Sequence, residues 1–110
     1  MRQLLDEAPV GSQVIFTNAD AQKKCLAIPR PNFCDYENEN TTKLGRGRFF
    51  AFPFGDRNEK FIVDEMVKAV LGDGTVPSDY IEKNIYISAI RHPKNPPPPR
   101  EGEVAGSTGP

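Results

Sequence analysis

Ten residues, Gly45 to Phe54, carry the most chemically suggestive pattern in this chain of 110 residues. They read Gly-Arg-Gly-Arg-Phe-Phe-Ala-Phe-Pro-Phe, so two guanidinium groups lie beside four phenyl rings. In an extended segment the side chains alternate between two faces, which places both arginines and the even-numbered phenylalanines on one face. Cations beside flat apolar rings suit a single-stranded nucleic acid, because phosphates attract the charges and bases stack on the rings.

This pattern defines a candidate nucleic-acid site. The rings would stack bases and the cations would hold phosphates; the predicted contacts are Lys43, Arg46, Arg48, Phe50 and Phe52. Residues 43–60 contain five Lys or Arg and two Asp or Glu, a local balance of +3, whereas the whole chain carries −1. Binding of single-stranded DNA or RNA therefore has to depend on this local patch. The competing interpretation places the even-numbered rings in the core, where phenylalanine is more common.

The order strand-helix-strand after Gly45 resembles the second half of an RNA-recognition-motif domain, over roughly residues 46–90. In that family a strand with basic, glycine and aromatic residues precedes a helix and a closing strand. The family has an aromatic and then a small residue where this chain has Arg48 and Phe49. The first half also lacks a strand with an aromatic pair followed by a long helix. Three strands before a helix are topologically similar to an oligonucleotide-binding barrel.

Apolar periodicity and turn residues predict the elements that position this segment. They are a helix at 2–7, a hairpin of strands at 12–17 and 23–28, a loop at 32–47, a strand at 48–54, a helix at 57–71 and a strand at 84–90. The predicted fold class is α+β, with a small, strongly bent or barrel-like, mainly antiparallel sheet. The order is α-β-β-β-α-β, with one main helix after the third strand. Asp56 would cap that helix and Gly72 would end it.

The composition changes near residue 93. Six of the eleven prolines lie from there to the end, four of them consecutive at Pro96–Pro99. We predict one domain at 1–92 and a disordered, proline-rich tail at 93–110. The four prolines could also serve as a ligand for a protein with an aromatic groove. The alternative function is thus a protein-interaction adaptor or inhibitor that uses a sheet edge, the acidic 32–47 loop or this tail.

Other chemistry has little support in the sequence. Cys25 and Cys34 are predicted to be reduced thiols rather than a disulfide, because one possible bridge in a chain of 110 residues is weak evidence for oxidation. A structural metal site needs about four ligands, and His92 is the only histidine. The acidic residues of the 32–47 loop do not have the spacing of a calcium loop. We therefore expect no metal, no cofactor and no enzymatic activity, although a pocket for a small anionic metabolite over the arginines is a further possibility. With no apolar run long enough for a membrane span, the expected location is cytoplasmic.

Overall fold

The structure is a computed structural model that describes residues 2–27 and 29–93. The helices are α1 (Arg2–Glu7), α2 (Ala19–Cys25), α3 (Glu59–Leu71) and α4 (Tyr80–Asn84), with a 3-10 helix at Asn32–Tyr36. The strands are β1 (Gln13–Asn18), β2 (Asn38–Gly45), β3 (Arg48–Ala51), β4 (Gly55–Asn58) and β5 (Ile85–Arg91). They form one antiparallel sheet in the order β4-β3-β2-β1-β5.

The α+β class with a mainly antiparallel sheet is confirmed, but the barrel-like geometry is wrong. The sheet is open: β4 and β5 are its two edges among the described residues and do not pair with each other. The predicted domain boundary at residue 92 stays a prediction. The proline-rich tail, including Pro96–Pro99, lies outside the described residues from position 94 onward. No helix in the described part of the chain is long and apolar enough to cross a membrane.

The core lies between one face of the sheet and the helices α1, α3 and α4. Phe16 of β1 and Phe49 of β3 meet edge to face, with ring centroids 5.6 Å apart. Val63 and Met66 of α3 are buried against them, as the apolar stripe of that helix predicts, and Val70 is half-buried. Gly72 ends α3 at φ 66°, so this predicted stop is confirmed.

The predicted hairpin at 12–28 is wrong, because the chain forms α2 directly after β1. Asn18 is the N-cap, and its Oδ1 accepts hydrogen bonds from the backbone N–H groups of Asp20 (3.0 Å) and Ala21 (3.2 Å). Asp20 in the first turn and Lys24 in the last also favour a helix through their interaction with its dipole. The side chains that α2 buries are Ala21 and Cys25, which are too small to give a strong apolar signal.

The expectation of reduced thiols is also wrong. Cys25 at the end of α2 and Cys34 in the 3-10 helix form a disulfide, with their Cα atoms 5.4 Å apart. The helix, rather than the predicted strand, brings Cys25 to this position. The bond joins α2 to the segment that leads into β2. Its Cys25 end is buried, with Cys25 3 % exposed.

The disulfide is expected to stabilise the fold measurably. It closes a loop with a sequence separation of 9, for which loop-closure entropy alone gives a contribution of about 2–3 kcal/mol. The double variant Cys25→Ser/Cys34→Ser should lose this much unfolding free energy in a urea titration. Treatment of the wild-type protein with a reductant should shift its midpoint to the same extent. A wild-type midpoint that does not respond to the reductant would contradict the pairing.

The predicted loop at 32–47 is instead the 3-10 helix followed by β2. Its inward-facing side chains include Thr41 and Lys43, so the strand lacks the usual alternation of apolar and polar residues. Thr41 is 2 % exposed and its hydroxyl donates to the carbonyl of Val14 at 2.9 Å. Hydrogen bonding thus satisfies the polar residues that this strand buries.

The predicted strand at 48–54 is two strands. β3 ends at Ala51, the turn that follows contains a cis peptide bond between Phe52 and Pro53, and β4 pairs back along β3. The helix then begins at Glu59, not at residue 57. Asn58, rather than Asp56, is its N-cap and accepts a hydrogen bond from the backbone N–H of Phe61 at 2.8 Å.

Candidate nucleic-acid interface

The sheet face opposite the helices, called here the open face, presents mostly polar and aromatic side chains. Antiparallel register assigns members that include Gln13, Ile15, Thr17, Asn38, Asn40, Thr42, Arg48, Phe50, Asp56, Tyr86, Ala89 and Arg91. Ser88 joins them at the register shift of β5, through its contact with Thr17. Most of them are exposed. Thr17 is buried at the centre, where its hydroxyl is within hydrogen-bond distance of Asn38 Oδ1 (2.8 Å) and Ser88 Oγ (2.7 Å).

The phenylalanines of the basic-aromatic segment separate between the two sides of the sheet. Phe49 is 1 % exposed in the core, whereas Phe50 on the open face is 46 % exposed and Phe52 in the turn after β3 is 80 % exposed. Phe54 departs from the predicted alternation, because the turn reverses the chain and its ring packs against Phe61 of α3 at 5.4 Å. Phe50 and Phe52 are therefore the two rings of this segment that are accessible from solvent.

The two predicted arginines lie at the end of the sheet where β2 turns into β3. The side chain of Arg46 is 85 % exposed, with Asp6 4.0 Å away. The guanidinium of Arg48 forms a two-point ion pair with Asp56, whose pKa is held below its usual value chiefly by the hydrogen bond from Arg48. Asp56 is therefore ionised at neutral pH. A bound phosphate would compete with this carboxylate for Arg48.

The structure places Lys43 away from the other predicted contacts. Its residue is 4 % exposed, and its Nζ donates to the backbone carbonyls of Leu5 (2.8 Å), Asp6 (2.9 Å) and Ala8 (2.7 Å). Lys43 pairs with Phe49 across the hairpin and shares its core-facing side. The ammonium thus satisfies carbonyls at and just beyond the C-terminal end of α1, and it is inaccessible to a phosphate.

The remaining cations of residues 43–60 also face away from the open face. Arg57 pairs with Phe49 in the register and places its guanidinium 4.4 Å from the ring centroid of Phe61. Lys60 on α3 pairs with Asp64 at 2.5 Å. The local balance of +3 read from the sequence is therefore divided. Arg48 lies on the open face, whereas Arg46 lies in the turn between β2 and β3, where its nearest carboxylate is that of Asp6 on α1.

Sequence reasoning missed several polar residues beside the predicted site. Asp56, Thr42 and Gln13 lie on the same row of the open face as Phe50, although each belongs to a different strand. Asp56 was predicted to be a helix cap. Recognition of β2 as a strand would have supplied the signal, since its register with β3 aligns Thr42 with Phe50 and Lys43 with Phe49.

Other features of the described residues give less indication of a site. Two cavities of about 310 and 380 Å³ lie on the helix side and share Ile81 in their walls. The first is bordered by an ion pair between Arg2 and Glu59 at 2.5 Å. Among residues 2–27 and 29–93, no group of three or more histidine, cysteine or acidic side chains could hold a metal ion.

Comparison with known proteins gives no relative. No protein-family model matches this chain, and no curated protein or solved structure does so either. The geometry of the open face is therefore the basis for inferring the function.

Proposed function

We propose that this protein is a non-enzymatic binding protein that contacts single-stranded nucleic acid through the open face. Phe50 and Phe52 stack two bases, and Arg46 and Arg48 hold phosphates. Arg48 and Phe50 are two residues apart on one strand, which separates them by about 7 Å along the sheet. A ligand that needs both charge and aromatic surface finds them within one strand.

The exposure of the rings is the observation that supports this proposal most strongly. Phe50 and Phe52 are 46 % and 80 % exposed, while the neighbouring Phe49 fills the core. Core packing therefore explains Phe49 and leaves the other two without such a role. Exposed aromatic rings on a sheet provide stacking surfaces for bases, worth about 1–3 kcal/mol per base.

Phosphates and stacking bases occur in both DNA and RNA, so the test uses a labelled oligothymidylate and a labelled oligouridylate. Each probe has about twelve nucleotides, within the range of known single-strand sites. Fluorescence anisotropy at several salt concentrations gives the slope of log affinity against log salt. Each phosphate contact contributes about −0.7 to that slope. The double variant Arg46→Ala/Arg48→Ala should therefore bind more weakly and reduce the magnitude of the slope by about 1.4.

The outcomes separate the ligand classes. Binding of one oligonucleotide and not the other would assign the protein to DNA or to RNA. An affinity that does not change with salt, or no binding of either probe at micromolar protein, would contradict the proposal and favour the protein-interaction alternative.

Removal of the carboxylate that competes for Arg48 should strengthen binding. In Asp56→Asn the ion pair with Arg48 is lost and the repulsion of phosphate disappears, so affinity should rise by up to about fivefold. The matched control is Asp64→Asn, which makes the same charge change on α3 and should leave affinity unchanged. Equal gains in the two variants would mean that net charge, rather than the site at Arg48, determines binding.

The cytoplasmic location stays a prediction. The disulfide between Cys25 and Cys34 favours an oxidising compartment instead, because cytosolic thiols are usually kept reduced.

A further inference from the structure

We infer that Arg91, on the far edge strand, is a further phosphate contact, and that the bound single strand crosses the sheet from β3 to β5. This inference rests on the proposed function and adds a residue and a direction to it. The alternative path runs along β3 alone, from Arg46 to Phe52.

The register of the sheet places Arg91 on the same row as Phe50. Phe50 of β3 pairs with Thr42 of β2, Thr42 pairs with Gln13 of β1, and Gln13 pairs with Arg91 of β5. These four side chains therefore follow one another across the sheet on the open face. With strands about 4.8 Å apart, the row spans about 14 Å from Phe50 to Arg91.

The chemistry of this row suits a polyanion. Thr42 and Gln13 are neutral groups that can donate hydrogen bonds, and they separate the ring of Phe50 from the guanidinium of Arg91. The one carboxylate on the row, that of Asp56, lies at the opposite edge of the sheet, on β4. A nucleic acid that continues from Phe50 toward β5 therefore runs away from the carboxylate of Asp56 and ends at the guanidinium of Arg91.

Arg91 is more available to a ligand than Arg48. It is exposed, and within the described residues it has no carboxylate partner, whereas Arg48 is paired with Asp56. A phosphate that binds Arg91 therefore does not have to displace a carboxylate of the described residues. An Arg side chain also offers a planar fork of donors for two phosphate oxygens.

The test measures the salt slope of Arg91→Ala with the same oligothymidylate. Three arginine contacts give the wild-type protein a slope of about −2.1, and Arg91→Ala should reduce its magnitude by about 0.7. Lys83→Ala removes one exposed cation from α4 on the helix side and is the matched control, with an expected slope equal to that of the wild type. Arg91→Lys keeps the charge and should also retain the wild-type slope.

Two results are decisive. If Arg46→Ala/Arg48→Ala reduces the slope and Arg91→Ala does not, the nucleic acid follows β3 and this inference is overturned while the proposed function stands. If the wild-type protein does not bind the probe, the proposed function fails, and the inference fails with it. Thermal denaturation of Arg91→Ala should match the wild type, because the side chain is exposed.

Discussion

Replacement of Phe49 by alanine is expected to lower the free energy of unfolding by about 3–5 kcal/mol. Phe49 is 1 % exposed and packs edge to face on Phe16, so its removal forfeits buried apolar area and leaves a cavity between the sheet and α3. A urea titration that follows backbone circular dichroism measures this loss. The effect is large enough that the variant should be partly unfolded if the protein has ordinary marginal stability.

The neighbouring ring provides the control. Phe50→Ala removes the same number of atoms one position away, but its ring is on the open face and 46 % exposed. Its stability should therefore stay within about 1 kcal/mol of the wild type, since the side chain forfeits much less burial. Equal sensitivity of Phe49 and Phe50 would show that the face assignment of β3 is wrong.

A second large effect is expected at Lys43. Lys43→Met keeps most of the aliphatic stem but removes the ammonium that bonds the carbonyls of Leu5, Asp6 and Ala8. Loss of charge-assisted bonds to buried acceptors should cost about 2–4 kcal/mol, even after the gain from no longer burying an ammonium. Urea titration measures it, and Lys68→Met, on the exposed face of α3, should change stability by no more than about 0.5 kcal/mol.

The Lys43 variant also separates a structural role from a binding role. At a temperature where Lys43→Met is folded, its salt slope with an oligonucleotide should equal that of the wild type. A variant that keeps full stability but has a smaller slope would contradict the structure and restore the prediction that Lys43 holds a phosphate.

The elements with strong apolar periodicity could be predicted from the sequence. β1 has three consecutive β-forming residues at Val14–Phe16, and α3 has a continuous stripe that includes Val63 and Met66, so both appear within two residues of their predicted bounds. α2 and β2 could not be found in this way. α2 buries only small side chains, and β2 buries Thr41 and Lys43, whose polar groups are satisfied by partners distant in sequence.

In the candidate site, too, some features could be predicted from one segment of the sequence and others could not. Alternation along one strand correctly separated Phe49 from Phe50, because that property depends on local backbone geometry alone. The position of Lys43 depends on the register between β2 and β3, and the pairing of Arg48 with Asp56 depends on β4, which lacks apolar residues. Contacts between strands are set by the whole sheet, so single-segment reasoning missed them.

The most direct test of the central claim compares exposed apolar side chains on the two sides of the sheet. Phe50→Ala/Phe52→Ala removes both proposed stacking rings, and Leu4→Ala removes a 59 % exposed side chain from α1. Oligonucleotide affinity is measured for each variant at one salt concentration. With about 1–3 kcal/mol per stacked base, we expect the double variant to lose at least about thirtyfold and Leu4→Ala to bind like the wild type. Wild-type affinity in the double variant, with its fold intact, would contradict the assignment of the open face as a nucleic-acid interface.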